Sequence, residues 1–248
     1  MASEAPPCHR EGHLLGVLGG MGPAATADFL GKLARLNPAT TDQDHIRSVT
    51  CSFSDIPDRA QAILERGPSP LPAMLRALRI LEQCGAAFVA IPCNTAHYWF
   101  DQLQQQASVP LLHIVDAVRA AICAQGRLEA PVGLLGTTAT VRAGIYQKRL
   151  GDSGIDCIAP DESCQSKVME VIRRVKGGQI MAKDVVAVEG IAAALQRRGA
   201  SPVVLACTEL PLLIPSRTDL VDSTTALARE CLRLWQLSIE SCRRGQTP

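Results

Sequence analysis

Short apolar runs alternate with longer amphipathic segments along this chain, a pattern that predicts strands and helices in turn. Runs rich in branched apolar residues predict buried strands, at 14–18, 47–53, 88–92, 132–135, 156–158 and 203–206. Segments with apolar residues three and four positions apart predict helices, at 24–36, 71–84, 142–150, 166–176, 185–198 and 224–242. Strands that alternate with helices favour parallel sheets covered by helices.

The pattern occurs twice, because the chain aligns with itself at an offset of 114 residues. At this offset residues 81–86 fall on 195–200, and Cys93 falls on Cys207. Internal similarity at so long a period indicates duplicated domains rather than a solenoid. We therefore expect an α/β protein of two pseudo-symmetric domains, each a mostly parallel sheet flanked by helices, with the active site in the interdomain cleft.

These elements divide the chain into two α/β domains and a short lead-in. Residues 1–12 lack an apolar core and are expected to form a disordered lead-in. The first domain is predicted to comprise residues 13–113 together with 224–243, whose helix would cover the first sheet. Residues 114–223 are predicted to form the second domain.

Composition narrows the class of protein. Hydrophobic residues make up 47% and charged residues 20% of the 248 positions, which is typical of a globular protein. The net charge of +1, the lack of a long basic cluster and the few aromatic residues argue against nucleic-acid binding. No apolar run approaches the ~20 residues of a membrane-spanning helix, so no membrane partner is expected.

The ten cysteines are not spaced as metal ligands or as a redox pair, since no two of them form a C-x-x-C motif. The five histidines are scattered, so no zinc or other metal site is expected. A disulfide framework is not expected in a chain of this length that begins without a secretory signal. These features predict a reducing, cytoplasmic location.

Two cysteines stand apart because each follows a buried strand. Cys93 and Cys207 occupy equivalent positions in the two halves, and each precedes a segment that predicts a helix start. Free N–H groups and partial positive charge at a helix N-terminus lower a thiol pKa and attract carboxylates. Asn94, Thr95 and Thr208 are suitable residues to cap these helices. The alternative is that each cysteine is a small core residue.

Two thiols that face each other across a cleft can invert a stereocentre. One of them, as a thiolate, removes a proton from one face of a substrate carbon, and the other donates a proton to the opposite face. Such a pair needs no cofactor, and coupling between the two groups favours one ionised and one protonated thiol.

Five motifs give this chain a family resemblance. They are GGMGP at 19–23, IPDR at 56–59, PCNTAH at 92–97, LLGT at 134–137 and CTEL at 207–210. In this order, over about residues 14–230, they resemble the aspartate/glutamate racemase superfamily, which is independent of pyridoxal phosphate (PLP). The resemblance implies a two-domain fold, a homodimer, no cofactor, a small acidic amino acid as substrate, and Cys93 and Cys207 as catalytic proton carriers.

The resemblance is to the aspartate racemase branch. Glutamate racemases carry an Asp-Ser pair in the first loop and Cys-Thr-His at the second thiol, whereas this chain has GMG at 20–22 and CTE at 207–209. We therefore expect an isomerase that interconverts L- and D-aspartate. Ala60 stands where the family often has a threonine or serine, so glutamate or a broader range of amino acids stays open as the substrate.

The resemblance also implies which residues hold the substrate. Arg59 and Lys176 match family residues that bind substrate carboxylates, and neutralising a carboxylate eases removal of the α-proton. The predicted substrate-binding set is Met21, Asp58, Arg59, Ala60, Asn94, Thr95, Ala96, Thr137, Lys176, Thr208 and Glu209. Without the resemblance, Arg59 and Lys176 would be interpreted as solvated surface charges. His97 is given no catalytic role, since a histidine there more often packs or faces water.

Other functions are weighed against this one. GMGPAA at 20–25 fits the dinucleotide fingerprint, but the acidic residues about twenty positions on, Asp42 and Asp44, fall in a polar loop. A two-domain protein that binds a small acid without reacting would keep Arg59 and Lys176 but would not need matched thiols. Decarboxylases and cis–trans isomerases of the same superfamily are further alternatives, and the decarboxylases typically use a single cysteine.

Overall fold

The structure, a computed structural model, describes residues 14–126, 130–214 and 217–243, so the predicted lead-in at 1–12 lies outside the described residues. The strands of the described part are β1 (Leu15–Gly19), β2 (Ser48–Ser52), β3 (Phe88–Ala90), β4 (Leu111–Leu112), β5 (Val132–Gly136), β6 (Cys157–Ile158), β7 (Val203–Ala206) and β8 (Leu220–Asp222). Its α-helices are α1 (Pro23–Leu36), α2 (Arg59–Ile63), α3 (Leu71–Gln83), α4 (Phe100–Gln104), α5 (Ile114–Ala124), α6 (Thr138–Arg142), α7 (Ile145–Gly151), α8 (Glu162–Lys176), α9 (Ala182–Arg197) and α10 (Ser223–Arg243). Three short 3₁₀-helices accompany them, at Asp42–Asp44, Thr95–Trp99 and Leu210–Leu212.

The strands form two four-stranded sheets with the same order. In the first sheet the order is β2-β1-β3-β4, and in the second it is β6-β5-β7-β8. All the paired strands within these sheets run parallel. The predicted α/β class, with two parallel sheets flanked by helices, is therefore confirmed, and the carboxyl ends of the central strands lie at one edge of each sheet.

The duplication extends to side-chain packing at two glycines. A Cβ atom added to Gly16 in β1 would lie 2.9 Å from a methyl carbon of Val89, and one added to Gly133 in β5 would lie 2.9 Å from the same atom of Val203. Carbon atoms this close repel strongly. Glycine at both positions therefore lets the neighbouring strand pack at the same short distance in the two halves.

Helices cover both faces of each sheet, in layers. A core shared by the two halves lies between the sheets, where α1, α5, α7 and α10 pack against the inner faces of both. The outer face of the first sheet is covered by α3. The outer face of the second sheet is covered by α8 and α9. The tail helix α10 contacts α1 and α5 most extensively and also β8, so it lies between the sheets rather than at an outer edge.

A buried ion pair fixes the start of α10. Lys32 Nζ lies 2.7 Å from Asp222 Oδ2 and donates a hydrogen bond of 2.7 Å to Thr224 Oγ1. Burial by itself would raise the pKa of the Asp222 carboxyl, but the Lys32 ammonium and the adjacent hydroxyls outweigh it and hold that pKa below its ordinary value. This pair joins α1 of the first half to the chain that leaves the second sheet.

Two of the differences between the predicted and the observed boundaries have a local cause in the backbone. The helix predicted at 142–150 begins instead at Ile145, as α7, because Gly144 adopts a left-handed conformation with φ +65° and separates it from α6, which ends at Arg142. The predicted strand at 88–92 ends at Ala90, since Pro92 has no N–H and the Cys93 N–H turns back to the carbonyl of Ile91 at 2.7 Å. The α-helices and strands that were not predicted are α2, α4, α5, α6, β4 and β8.

Among the helices of the described residues, none combines the length and the apolar character that crossing a membrane requires.

Candidate active site

Cys93 and Cys207 line the same cavity between the two sheets. Cys93 follows β3 and Cys207 follows β7, so each thiol lies beyond the carboxyl end of a central parallel strand, where ligands of α/β sheets bind. Their exposed fractions are 6% and 5%, so both are almost wholly screened from bulk water. The two cysteines are therefore brought together as the duplication indicates.

The same cavity collects the predicted substrate-binding residues with one exception. The residues that line it are Met21, Asp58, Arg59, Ala60, Cys93, Asn94, Thr95, Thr137, Lys176, Cys207, Thr208 and Glu209. Ala96 is the exception, because it is wholly buried in the core beside the first sheet rather than in the lining. Ala96 therefore does not line the cavity, and its contact with the substrate stays a prediction.

The space between the two thiols is small in this conformation. It encloses about 10 Å³, which is room for one water molecule. A neighbouring cavity of about 330 Å³ shares four of its lining residues, namely Asp58, Arg59, Lys176 and Glu209. The inner space is thus closed around the thiols, and the four shared residues separate it from the larger cavity.

The Cys207 thiol forms a hydrogen bond with the Glu209 carboxylate. Its Sγ donates to Glu209 Oε2 at 2.9 Å, and the Thr208 hydroxyl donates to the same oxygen at 3.2 Å. Burial first, and then the negative charge of Glu209, raises the pKa of the Cys207 thiol well above its ordinary value. The Lys176 ammonium works in the opposite direction without outweighing them. In the conformation described, Cys207 is a protonated thiol held by Glu209.

Lys176 ends helix α8 and faces a group of negative charges. Desolvation works against its charged form, yet the negative charge of Glu209, the largest opposing influence, and that of Asp58 raise the pKa of the Lys176 ammonium above its ordinary value. The lysine therefore stays charged at neutral pH. Its position places a cation beside both thiols of the cavity.

Arg59 is a buried cation that the backbone holds in place. Its Nη1 donates to the carbonyl oxygens of Ile56 at 3.0 Å and Pro57 at 2.9 Å, and its exposed fraction is 8%. Its buried Nε has no hydrogen-bond partner, and no carboxylate pairs with the guanidinium within the described residues. A buried arginine without an anionic partner is suited to bind the carboxylate of a ligand.

The helix-capping roles predicted for three residues are wrong. Short 3₁₀-helices, not α-helices, follow the cysteines, and neither Asn94 nor Thr208 forms a side-chain cap. Thr95 bonds across the cleft instead, with its hydroxyl oxygen 3.1 Å from that of Thr137 and 2.9 Å from that of Thr140. Asn94 and Thr95 thus join the loop after Cys93 to the second half of the molecule.

His97 contacts backbone groups and not the cavity. Its Nδ1 lies 2.9 Å from the Cys93 carbonyl oxygen, and its Nε2 accepts from the N–H of Ile114 at 3.0 Å. Since a carbonyl can only accept, Nδ1 carries the proton. Burial lowers the pKa of His97 to about 4, so the ring is neutral at pH 7. His97 thus fixes the backbone of the Cys93 loop without touching the thiol.

Three side chains near the site were not predicted from the sequence. Tyr146 and Ser223 are bonded to Asn94, and Thr140 is bonded to Thr95. All three are almost completely buried. No local pattern marks them, because Tyr146 lies in a segment with ordinary helical spacing and Ser223 simply begins α10.

Within the described residues, no group of three or more histidine, cysteine or acidic side chains is arranged to hold a metal ion.

Comparison with known proteins decides the family. The model of the family described as Asp/Glu/Hydantoin racemase matches residues 18–231 of this chain. The chain belongs to this family. It is therefore an amino-acid racemase, an isomerase, and the resemblance of its motifs is confirmed.

Relatives of this racemase differ in their substrates. The broad specificity amino-acid racemase RacX of Bacillus subtilis is 30% identical over 225 residues, which cover 87% of this chain and 95% of the relative. A glutamate racemase of Corynebacterium diphtheriae is 28% identical over 73% of this chain and 71% of its own length. The structure of an aspartate racemase from Picrophilus torridus is 33% identical and superposes with a TM-score of 0.76, covering 90% of this racemase and 94% of that chain.

Proposed function

We propose that this racemase interconverts L- and D-aspartate by a two-base mechanism in which Cys93 and Cys207 carry the protons and no cofactor takes part. We further propose that it acts in the cytoplasm as a homodimer, in keeping with its cysteine usage and its family. The observation that supports the mechanism best is that both thiols line one cavity together with Arg59 and Lys176.

In the proposed reaction the two cysteines exchange roles. A thiolate on one side takes the α-proton and becomes a thiol, which leaves a carbanion on the substrate. The thiol on the other side then gives its proton to the opposite face of that carbon and becomes a thiolate. One C–H bond breaks and one forms, no electrons are lost or gained, and the enzyme is left in the protonation state that suits the reverse reaction.

Arg59 and Lys176 provide the charge that the reaction requires. The substrate carboxylates replace the missing anionic partner of Arg59 and approach the Lys176 ammonium. When the α-proton leaves, negative charge spreads into the neighbouring carboxylate, so cations already in place stabilise the carbanion. Because the inner space encloses only about 10 Å³, the cleft must widen before the substrate reaches the thiols, and the cavity of about 330 Å³ is the proposed entry.

We propose aspartate rather than glutamate as the substrate because of the residues in two loops of the cavity. Glu209 and the GMG segment at 20–22 replace residues typical of glutamate racemases, and the aspartate racemase of Picrophilus torridus is 33% identical. A broader substrate range is the second candidate. It is favoured by Ala60, which lines the cavity without a hydroxyl group, and by the similarity to RacX.

The test is to incubate the purified protein separately with L- and D-aspartate and L- and D-glutamate in deuterated water. Chiral chromatography with mass detection then measures both the enantiomer and deuterium at the α-carbon. We expect aspartate to reach a racemic mixture and to gain one deuterium, and glutamate to react far more slowly. A protein that binds aspartate without isotope exchange would be a binding protein, and comparable rates on aspartate and glutamate would favour the broad-specificity candidate.

A further inference from the structure

A chain of buried hydrogen bonds reaches Asn94, the residue after Cys93, from the second half of the molecule. The Tyr146 hydroxyl on α7 donates to Asn94 Oδ1 at 2.6 Å, and Asn94 Nδ2 donates to Ser223 Oγ at 3.0 Å. The Ser223 hydroxyl in turn donates to the Leu205 carbonyl at 2.8 Å. Tyr146 and Ser223 have no exposed surface, and Asn94 is 2% exposed.

The direction of these bonds follows from their last member. The Leu205 carbonyl can only accept a hydrogen bond, so the Ser223 hydroxyl donates its one hydrogen to it. The Ser223 oxygen must therefore accept the hydrogen bond from Asn94. The nitrogen of the Asn94 amide therefore faces Ser223 and its oxygen faces Tyr146. Burial raises the pKa of the Tyr146 phenol, which keeps its hydroxyl protonated as the donor that this arrangement needs.

One hydrogen of the Asn94 amide is left over. Nδ2 carries two hydrogens, and Ser223 takes one of them. Within the described residues no second acceptor lies at this nitrogen, and Asn94 lines the cavity that holds both thiols. The remaining hydrogen is thus a fixed donor beside Cys93.

We infer that Tyr146 is a positioning residue of the active site, whose hydroxyl orients the Asn94 amide so that its free N–H binds a carboxylate of the substrate. The inference deepens the proposed function and depends on it, since it gives Tyr146, which does not contact the ligand, an indirect role in binding the acidic substrate. Without the phenol hydroxyl the amide loses the partner of its oxygen and is free to turn.

The test compares Tyr146→Phe with Tyr98→Phe. The first variant removes only the buried hydroxyl and keeps the ring, and the second removes the hydroxyl of an exposed tyrosine that lies outside the thiol cavity. Because the donated hydrogen bond exists in both the bound substrate and the transition state, its loss raises KM and leaves kcat nearly unchanged. We expect KM for both enantiomers of aspartate to rise about tenfold or more in Tyr146→Phe and to stay unchanged in Tyr98→Phe.

A merely structural role of Tyr146 gives a different result. If the variant only lowered the fraction of folded enzyme, kcat would fall in proportion and KM would not move. Thermal denaturation of each variant, followed by circular dichroism, measures the folded fraction independently. A Tyr146→Phe enzyme with unchanged KM would overturn the inference, whatever its stability.

A double-variant cycle shows whether Tyr146 acts through Asn94. Asn94→Ala removes the donor itself, so adding Tyr146→Phe to it should raise KM no further. Multiplicative effects in the double variant would mean that Tyr146 acts elsewhere and would also overturn the inference. The wild-type assay separates this outcome from failure of the proposed function, because a wild-type protein that does not racemise aspartate refutes the proposed function before any variant is compared.

Discussion

The Cys207 thiol donates a hydrogen bond to the Glu209 carboxylate, with Sγ 2.9 Å from Oε2. The two groups are buried at the carboxyl end of β7, and Thr208 holds the same carboxylate oxygen at 3.2 Å. The pKa of a thiol in this setting is raised, because its thiolate would lie against a negative charge in a poorly solvated site. The pair therefore keeps Cys207 protonated in the conformation described.

Glu209→Gln is predicted to lower the pKa of the Cys207 thiol. The variant keeps the shape and a hydrogen-bond acceptor of the side chain but removes the charge that, after burial, raises this pKa most. The rate at which iodoacetamide labels Cys207, followed by peptide mass spectrometry across pH, should rise at lower pH than in the wild type. Identical labelling profiles would show that the Glu209 charge does not control this thiol.

Cys93→Ser and Cys207→Ser are each predicted to abolish racemisation. A serine hydroxyl is far too weak an acid to carry the proton that the thiol carries, so the loss of rate should exceed about a hundredfold. The matched control is Cys51→Ser, which changes a cysteine that is also buried, with 6% exposure, but is not among the residues that line the thiol cavity. One active-site variant is expected to retain isotope exchange at the α-carbon of a single enantiomer. Full activity in both single variants would refute the two-thiol mechanism.

The central strands and most of the longer helices could be predicted from the sequence, because their hydrophobic pattern indicates each element and the internal repeat indicates two similar sheets. The runs at 14–18 and 203–206 correspond to β1 and β7, and the repeat predicted two similar sheets. In contrast, β4 has two residues and β8 has three, too few to show an alternating pattern. Their pairing depends on the neighbouring strands, which no local window of sequence contains.

The residues of the site were predictable where they belong to contiguous motifs, and not where they act only through a contact with a residue distant in the sequence. Cys93 and Arg59 belong to contiguous motifs, and both line the cavity. Tyr146 lies 52 positions from Asn94, so nothing near either residue indicates their bond. The local capping rule failed at Asn94 for the same reason, because distant partners compete for its amide.

Lys176→Gln is predicted to weaken substrate binding strongly. The variant removes the one positive charge that α8 places beside the two thiols, so KM for aspartate should rise by about tenfold or more. Arg173→Gln, which removes an exposed charge of the same helix outside the cavity, serves as the control. Steady-state kinetics of both variants at low salt makes the comparison, and equal effects of the two substitutions would indicate a general charge effect rather than a contact with substrate.

Acidification is predicted to destabilise the protein through His97. The folded-state pKa of this ring, about 4, lies below its ordinary value of 6.5, so the unfolded chain binds a proton more readily over this interval. The contribution of the neutral ring is thus complete above about pH 6.5 and is lost as the pH falls toward 4, amounting to about 3 kcal/mol at about 1.4 kcal/mol per pH unit. Urea denaturation between pH 7.5 and 4 measures the loss.

The contribution of His97 is isolated by His97→Gln. This variant is less stable at pH 7, because it disturbs the bonds to the Cys93 carbonyl and the Ile114 N–H, but its side chain does not titrate. The difference in free energy of unfolding between wild type and variant should therefore shrink as the pH falls from 6.5 to 4. Stability curves that stay parallel over this range would contradict a buried, neutral His97.

Lys32→Met is predicted to cost about 3–5 kcal/mol of stability at pH 7, because it leaves the buried Asp222 carboxylate without its cation. The lowered pKa of Asp222 means that the pair stabilises the fold above the carboxyl's ordinary value and loses this effect as the pH falls through the folded-state pKa. The stability deficit of the variant should accordingly narrow on acidification, since its Asp222 can take up a proton and become neutral.

Adding Asp222→Asn to Lys32→Met should recover part of the lost stability at pH 7, whereas Lys167→Met, at an exposed lysine, should have little effect. A deficit that is under about 1 kcal/mol and independent of pH would show that the pair holds α1 to α10 less firmly than its burial indicates.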